Sequence, residues 1–334
     1  MTKALTLSAA LAAALTIAGT AGALDLRLSV ETPPGHVRNQ AAEHWAQAIH
    51  DLSNGEITVE VFPSGQLYNS ADAIRALASG ALDMSIQASP TLSRLEPNLS
   101  VITLPMFFGA SVDQVRGVLD GPLGQELWAM LARRGITVPT GGQFEFAPNN
   151  TAYTTEPASS YEDLVGRTVA TPPSPAVVQI MRAMGINGVA TPRTEIVLQL
   201  TQGQIQGLGS VTDLTISGGR LWEAGIRYAF NDNAGWGVYI PLVSSRALDA
   251  MTEAQRQVVN DAWAETVGWA RDEAARELAQ ARATNEAQGI TYADPSEETV
   301  AAMRARMMDL QGEIVAASGM DADFVGRVQA SLSQ

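Results

Sequence analysis

The stretch that decides the fold opens with Leu26-Arg27-Leu28-Ser29-Val30 and closes with Leu82-Asp83-Met84-Ser85-Ile86. Leu26, Leu28 and Val30 alternate with polar neighbours, the period of a strand with one face buried. Pro33-Pro34-Gly35 stops it. From about residue 39 to 52, Ala42, Trp45, Ala46 and Ile49 fall on one helical face, and Asn54-Gly55 turns the chain. Ile57-Thr58-Val59-Glu60-Val61-Phe62 is a second strand, ended by Pro63-Ser64-Gly65. Ser70 stands where a cap belongs for a helix over 71–79, and a third strand covers 82–86. This β-α-β-α-β order predicts a parallel sheet with helices on both faces.

Outward from there, helices are expected over 111–119 and 123–134 and a strand over 136–138. A second α/β unit begins near 150. It holds strands at 166–170, 189–190 and 205–209 and helices over 176–184, 192–201 and 213–222. An apolar strand covers 238–243. A long helix over 253–288 carries Val259, Trp263, Val267 and Ala270 in one stripe, and another helix covers 297–317.

The first residues read differently. Lys3 is followed by an apolar run over 4–17 and by Gly19-Thr20-Ala21-Gly22-Ala23. This is the pattern of a secretory signal peptide over 1–23, with cleavage after Ala23. The run is shorter than the roughly 20 residues a membrane span needs. Lys3 is also the chain's one lysine, and cysteine is absent. A mature chain therefore has no Schiff-base lysine, Walker lysine, disulfide or zinc–thiolate site. The formal charge of −14 argues against nucleic acid and anionic membrane surfaces as partners. An exported protein in the periplasm, with no membrane insertion after cleavage, is expected.

Catalytic patterns are missing. There is no Gly-x-Ser-x-Gly and no His-Glu-x-x-His, and the three histidines are His36, His44 and His50. His44 and His50 are six residues apart, so on a helix they face different directions and cannot share a metal. His36 follows the first strand, where α/β proteins hold ligands. No cofactor is indicated. A two-lobed protein that closes about a hinge on a solute is the simplest reading. A secreted hydrolase using paired carboxylates is the alternative from another class, and a sensor partner for a membrane kinase is a third.

Several segments resemble the solute-binding proteins of tripartite ATP-independent periplasmic (TRAP) transporters, the DctP-like family. They are Ala41-Ala42-Glu43, the run from Gly55 to Leu67, Gly80-Ala81-Leu82-Asp83-Met84, Leu104-Pro105-Met106-Phe107-Phe108 and the run from Leu119 to Leu127. Later come Glu162-Asp163-Leu164-Val165-Gly166, Pro192-x-Thr194-Glu195 and Leu242-Val243-Ser244. The resemblance implies an α/β, class II periplasmic binding protein fold with a hinge-crossing helix and the ligand cleft between the lobes. Lobe 1 is expected over 24–148 plus about 235–260. Lobe 2 is expected over 149–234, with lobe-spanning helical segments from about 261 to 334. It implies a monomeric receptor that delivers a small organic solute, most often a carboxylate, to membrane permease subunits.

The departures concern the site. The family's carboxylate-clamping arginine position is Ala170, and Arg167 should face the other way. A second family arginine falls near Asn150, and a family asparagine becomes Ser210. Arg193, where the family carries an aromatic, is the expected anion partner. Asn150, Ser210 and Asn233 are expected to hydrogen-bond the ligand. Phe146 and Trp236 are candidates for the aromatic wall, and Asn69, Ser89 and Ser174 for small polar groups facing the cleft. If Arg193 lies outside, the ligand is neutral or cationic instead. Glu31, Glu145, Asp213 and Asp232 would then be counter-charges.

Overall fold

A computed structural model of the chain describes residues 24–332; the leader expected over 1–23 lies outside the described residues, as do the side chains of Glu145 and Phe146. The first half holds strands β1 (Leu24–Ser29), β2 (Ile57–Phe62), β3 (Met84–Ala88) and β4 (Ile136–Thr137). Then come β5 (Phe144–Thr154), β6 (Thr168–Thr171), β7 (Asn187–Ala190), β8 (Gly207–Val211), β9 (Tyr228–Phe230), β10 (Gly235–Ser244) and β11 (Thr291–Ala293). The sheet order is β2-β1-β3-β10-β5-β8-β6-β7, with β4 on β10, β9 on β5 and β11 on β9. β1 runs parallel to β2 and β3, and β6 parallel to β7 and β8, as the βαβ reading requires. β10 and β5 are antiparallel to their neighbours.

β5 joins the two lobes. Up to Asn149 it pairs with β10, placing Pro148 opposite Trp236 and Asn149 opposite Gly235. From Asn150 on it pairs with β8 and β9. The sequence reading places no strand here, and Pro148 is a residue that strand interiors disfavour. The ladder tolerates Pro148 close to a register shift between Gly237 and Val238, where pairing is already interrupted. Gly207 lets β8 approach β5: a Cβ there would come within 2.2 Å of the Tyr153 carbonyl oxygen. The chain crosses again between β9 and β10. The helix Glu253–Ala287 packs on helix Val37–Leu52 at one end and on helix Asp213–Gly219 at the other.

Apolar stripes hold this arrangement. The indoles of Trp45 and Trp263 meet edge to face at 5.0 Å, both fully buried. Their ring N–H groups donate to the Val259 and Gly142 carbonyls at 3.2 and 2.7 Å, so each buried indole is satisfied. Lobe 2 has its own cluster of Tyr153, Ile196, Leu200, Leu208, Ile216 and Ile226. The C-terminal helices Glu297–Ala317 and Ala322–Ser331 bring Met303, Met307 and Phe324 into the cluster that holds Phe107 and Phe108. Among the described residues no helix is long and apolar enough to cross a membrane.

Candidate functional site

The C-terminal ends of parallel strands from both lobes converge on one cleft, where open α/β sheets bind ligands. Its space is about 730 Å³ counting the open mouth. One wall is lined by Glu31 after β1, Arg38 on helix Val37–Leu52, Ala88 ending β3, and Val238 and Tyr239 of β10. The facing wall is lined by Ala170 and Thr171 at the end of β6, Thr191 and Arg193 after β7, and Leu208 and Ser210 on β8. Asn149, at the partner switch of β5, lies between them.

The first wall is internally bonded. Arg38 is 2% exposed although it sits in the first turn of a helix, where a cation opposes the dipole. Its Nε donates to the Ile86 carbonyl at 2.6 Å and its Nη2 to Gln87 Oε1 at 3.1 Å. Nη1 lies 3.6 Å from Glu31 Oε1, and the guanidinium sits 5.2 Å from the Tyr239 ring centre. Gln87 is held in turn by Ser85, whose hydroxyl donates to the Ser29 carbonyl. His36 caps the same helix, its Nδ1 accepting from the Arg38 N–H at 3.1 Å. Burial first, then the charges of Arg193 and Arg38, hold the His36 imidazole well below its usual pKa. It is therefore neutral, consistent with Nδ1 as an acceptor. His36 lines a neighbouring hollow with Gly35, Leu214 and Gly218 rather than the main cleft.

The second wall is open. Arg193 begins a short 3-10 turn, is half-buried, and has no hydrogen-bond or ion-pair partner among the described residues. Its charge reaches across the cleft to His36 and Tyr239. The Thr171 hydroxyl is buried and equally without a partner. Ala170 lines the cleft and supplies no cation. Arg167 is engaged outside, donating to the backbone carbonyls of Asp163, Glu156 and Pro157. Ser210 adopts a left-handed φ of 54° and lines the cleft beside Asn149.

Of the residues singled out in the sequence, Arg193, Ser210, Ala170 and Glu31 line the cleft, and most of the others stand elsewhere. Asn150 is one residue past the cleft-lining Asn149, so its side chain takes the other face of β5. It donates to Tyr153 Oη at 2.7 Å and accepts from the Asn233 N–H at 3.2 Å. Asn233 is exposed, in a left-handed turn of the crossing segment. Trp236 is a core anchor, 8% exposed, its N–H donating to the Ala110 carbonyl at 3.0 Å. Ser174 caps helix Pro175–Ala183 and meets the Ser100 hydroxyl of lobe 1 at 2.9 Å. Asn69, not Ser70, caps helix Ser70–Ser79. Ser89 faces an apolar hollow with Leu99, Ile102 and Leu127. Asp213 accepts from Tyr153 and Tyr292 in a buried knot that also holds Asn285 of the long helix. Glu145 and Phe146 lie on β5, and their side chains are outside the described residues. Among the described residues no group of His, Asp and Glu is arranged to hold a metal.

Sequence reasoning missed Arg38, Asn149, Thr171 and Tyr239. Arg38 had a readable sign: an arginine just before the first apolar position of a helix whose N-terminus follows a strand. Thr171 had another, as the last residue before Pro172-Pro173 at a strand end.

Residues 28–317 match the family model of the bacterial extracellular solute-binding proteins, family 7, DctP. The C4-dicarboxylate-binding protein DctB of Bacillus subtilis is 25% identical over 235 residues, 69% of this chain and 64% of that protein. The sugar-acid-binding protein of Advenella mimigardefordensis, solved with galactonate, superposes with a TM-score of 0.87 at 20% identity, covering 93% of this chain and 98% of that one. A TRAP periplasmic solute-binding protein of Xanthobacter autotrophicus, solved with β-D-galacturonate, gives 0.82 at 25% identity, covering 91% and 99%. The chain thus belongs to the DctP family, the solute-binding proteins of TRAP transporters.

Proposed function

We propose that the cleft captures a small organic acid, with the ligand carboxylate on Arg193 and the lobes closing over it. The observation that carries this reading is an arginine on the cleft wall with no partner of its own. Such a half-exposed guanidinium offers two N–H groups to a carboxylate, and closure of the lobes over the pair strengthens that contact. The hydroxyls of Thr171 and Ser210 and the amide of Asn149 are placed to orient the remainder of the ligand. The relatives solved with galactonate and galacturonate support an acid.

In this reading the mature chain begins after Ala23 and works in the periplasm as a monomer. It makes and breaks no bond, and the closed form delivers its solute to the permease subunits. Lobe 1 is residues 24–148 with about 235–260. Lobe 2 is 149–234, joined by the C-terminal helices.

The test is a thermal-shift screen of residues 24–334 against small carboxylates, sugars, amines and zwitterions, followed by calorimetry on hits. Ligand at about a thousand times Kd adds roughly 4 kcal/mol of stability. Stabilisation by carboxylates, lost in Arg193→Ala, supports the assignment. Stabilisation by neutral or cationic compounds alone, or unchanged affinity in Arg193→Ala, refutes it.

A further inference from the structure

We propose that Glu31 limits this cleft to solutes with a single carboxylate, whose far end carries a hydrogen-bond donor. The proposal rests on the organic-acid reading and sharpens it.

The charges on the two walls do not balance. The described lining residues include three charged groups, Glu31, Arg38 and Arg193. Arg38 already serves the Ile86 carbonyl, Gln87 and Glu31, and its guanidinium lies 5.2 Å from the centre of the Tyr239 ring. It is locked into its own wall and is not available to clamp a ligand. Its charge is offset by Glu31, leaving the cleft one net positive charge, on Arg193. A single carboxylate neutralises that charge. A second carboxylate would leave an unpaired negative charge in a closing, water-poor space, beside another carboxylate. Position 170, where the family resemblance implies a clamping arginine, holds alanine, so the opposite wall cannot supply the missing cation.

Glu31 also has capacity to spare. Its Oε2 accepts from the Ser70 N–H at 3.3 Å and its Oε1 faces Arg38 at 3.6 Å. A carboxylate has about four acceptor sites, so lone pairs remain for a ligand donor. Its side chain is 13% exposed and lines the cleft. The wall thus accepts a hydroxyl or an ammonium and repels an anion. The buried, partnerless Thr171 hydroxyl on the facing wall suits the hydroxyls of the ligand's middle.

The experiment is calorimetry on residues 24–334 with acids matched in chain and differing at one end. The sets are galactonate against galactarate, gluconate against glucarate, and 4-hydroxybutyrate and 4-aminobutyrate against succinate. The expected result is at least tenfold tighter binding of the monocarboxylate in each set that binds, with the gap narrowed in Glu31→Gln. The four-carbon set tells a hydroxyl from an ammonium donor. Because Glu31→Gln also loosens Arg38, Ala170→Arg serves as a second variant, adding a cation to the other wall. It should raise dicarboxylate affinity at least tenfold. A dicarboxylate that binds the wild type as well as its matched partner overturns the proposal and leaves the organic-acid reading standing. So does a dicarboxylate that gains nothing in either variant while both remain folded. Binding of no acid at all overturns both.

Discussion

The two walls of the cleft are built on opposite plans. In lobe 1, Arg38 donates to the Ile86 carbonyl and Gln87 and faces Glu31, while His36 Nδ1 accepts from the Arg38 N–H. In lobe 2, Arg193 and the Thr171 hydroxyl have no partners among the described residues. The first wall is bonded in advance, and its contacts join helix, strand and loop within the lobe. The second leaves these polar groups without partners among the described residues, which is the basis of the binding role proposed for them. A buried charge needs its partner to fold, whereas a half-exposed one can wait in water.

The largest test of this contrast is Arg38→Ala. It leaves Glu31 partly buried without its cation and should cost about 3–5 kcal/mol of folding stability, read by denaturant unfolding. Arg193→Ala should change ligand-free stability by less than about 0.5 kcal/mol. It should weaken acid binding by roughly 1.5–3 kcal/mol, about ten- to a hundredfold in Kd, because a charge-assisted contact is lost. Equal stability losses in the two variants would erase the distinction between the walls.

Thr171→Val removes a buried hydroxyl that has no partner in the ligand-free chain. Folding stability should hold or rise slightly, while affinity falls by about 0.5–1.5 kcal/mol. A stability loss without an affinity change would place Thr171 with the first wall.

The smallest expected effect is at the crossing segment. Asp232 is buried, accepting from the Thr151 N–H at 2.8 Å and from Tyr161 Oη at 3.0 Å, and ties β5 to the second crossing. Burial raises its pKa to about 6, although those hydrogen bonds pull the other way. Because the folded value lies above the unfolded one, protonation favours the fold. The contribution is full below about pH 4 and is lost as pH rises through 6. Between pH 7 and pH 5 it amounts to about 1 kcal/mol, and Asp232→Asn should remove that increment from the unfolding curves. An unchanged pH slope in Asp232→Asn would assign the effect to other groups.

The walls differ as well in how they read from the sequence. The β-α-β-α-β opening is legible because period-2 and period-3.6 patterns reflect burial on one face. Strand β2 and helix Glu297–Ala317 fall where the pattern puts them. β5 is not legible, since Pro148 and two asparagines carry no alternation and their strand is held by partners distant in the chain. β9 and β11 are three residues each, too short for any period. At the site, Arg193 stood out because the family resemblance implies an aromatic at that position. Ser174, Asn69, Asp213 and Trp236 show why polar or aromatic type near a strand end is not enough. A helix cap, a buried knot and a core anchor use the same residues as a binding site.

By itself the sequence determined the α/β class, the family, a single lysine at position 3 and the absence of any cysteine. Those follow from composition, periodicity and motif, which are properties of neighbours along the chain. Only the tertiary structure decided that Asn149 rather than Asn150 lines the cleft, that Arg38 is bonded and that Arg193 is not. Each depends on which face of a strand meets which distant element. A one-residue step along a strand reverses a side chain, and a charge becomes structural or available only when long-range packing brings its partner or withholds it.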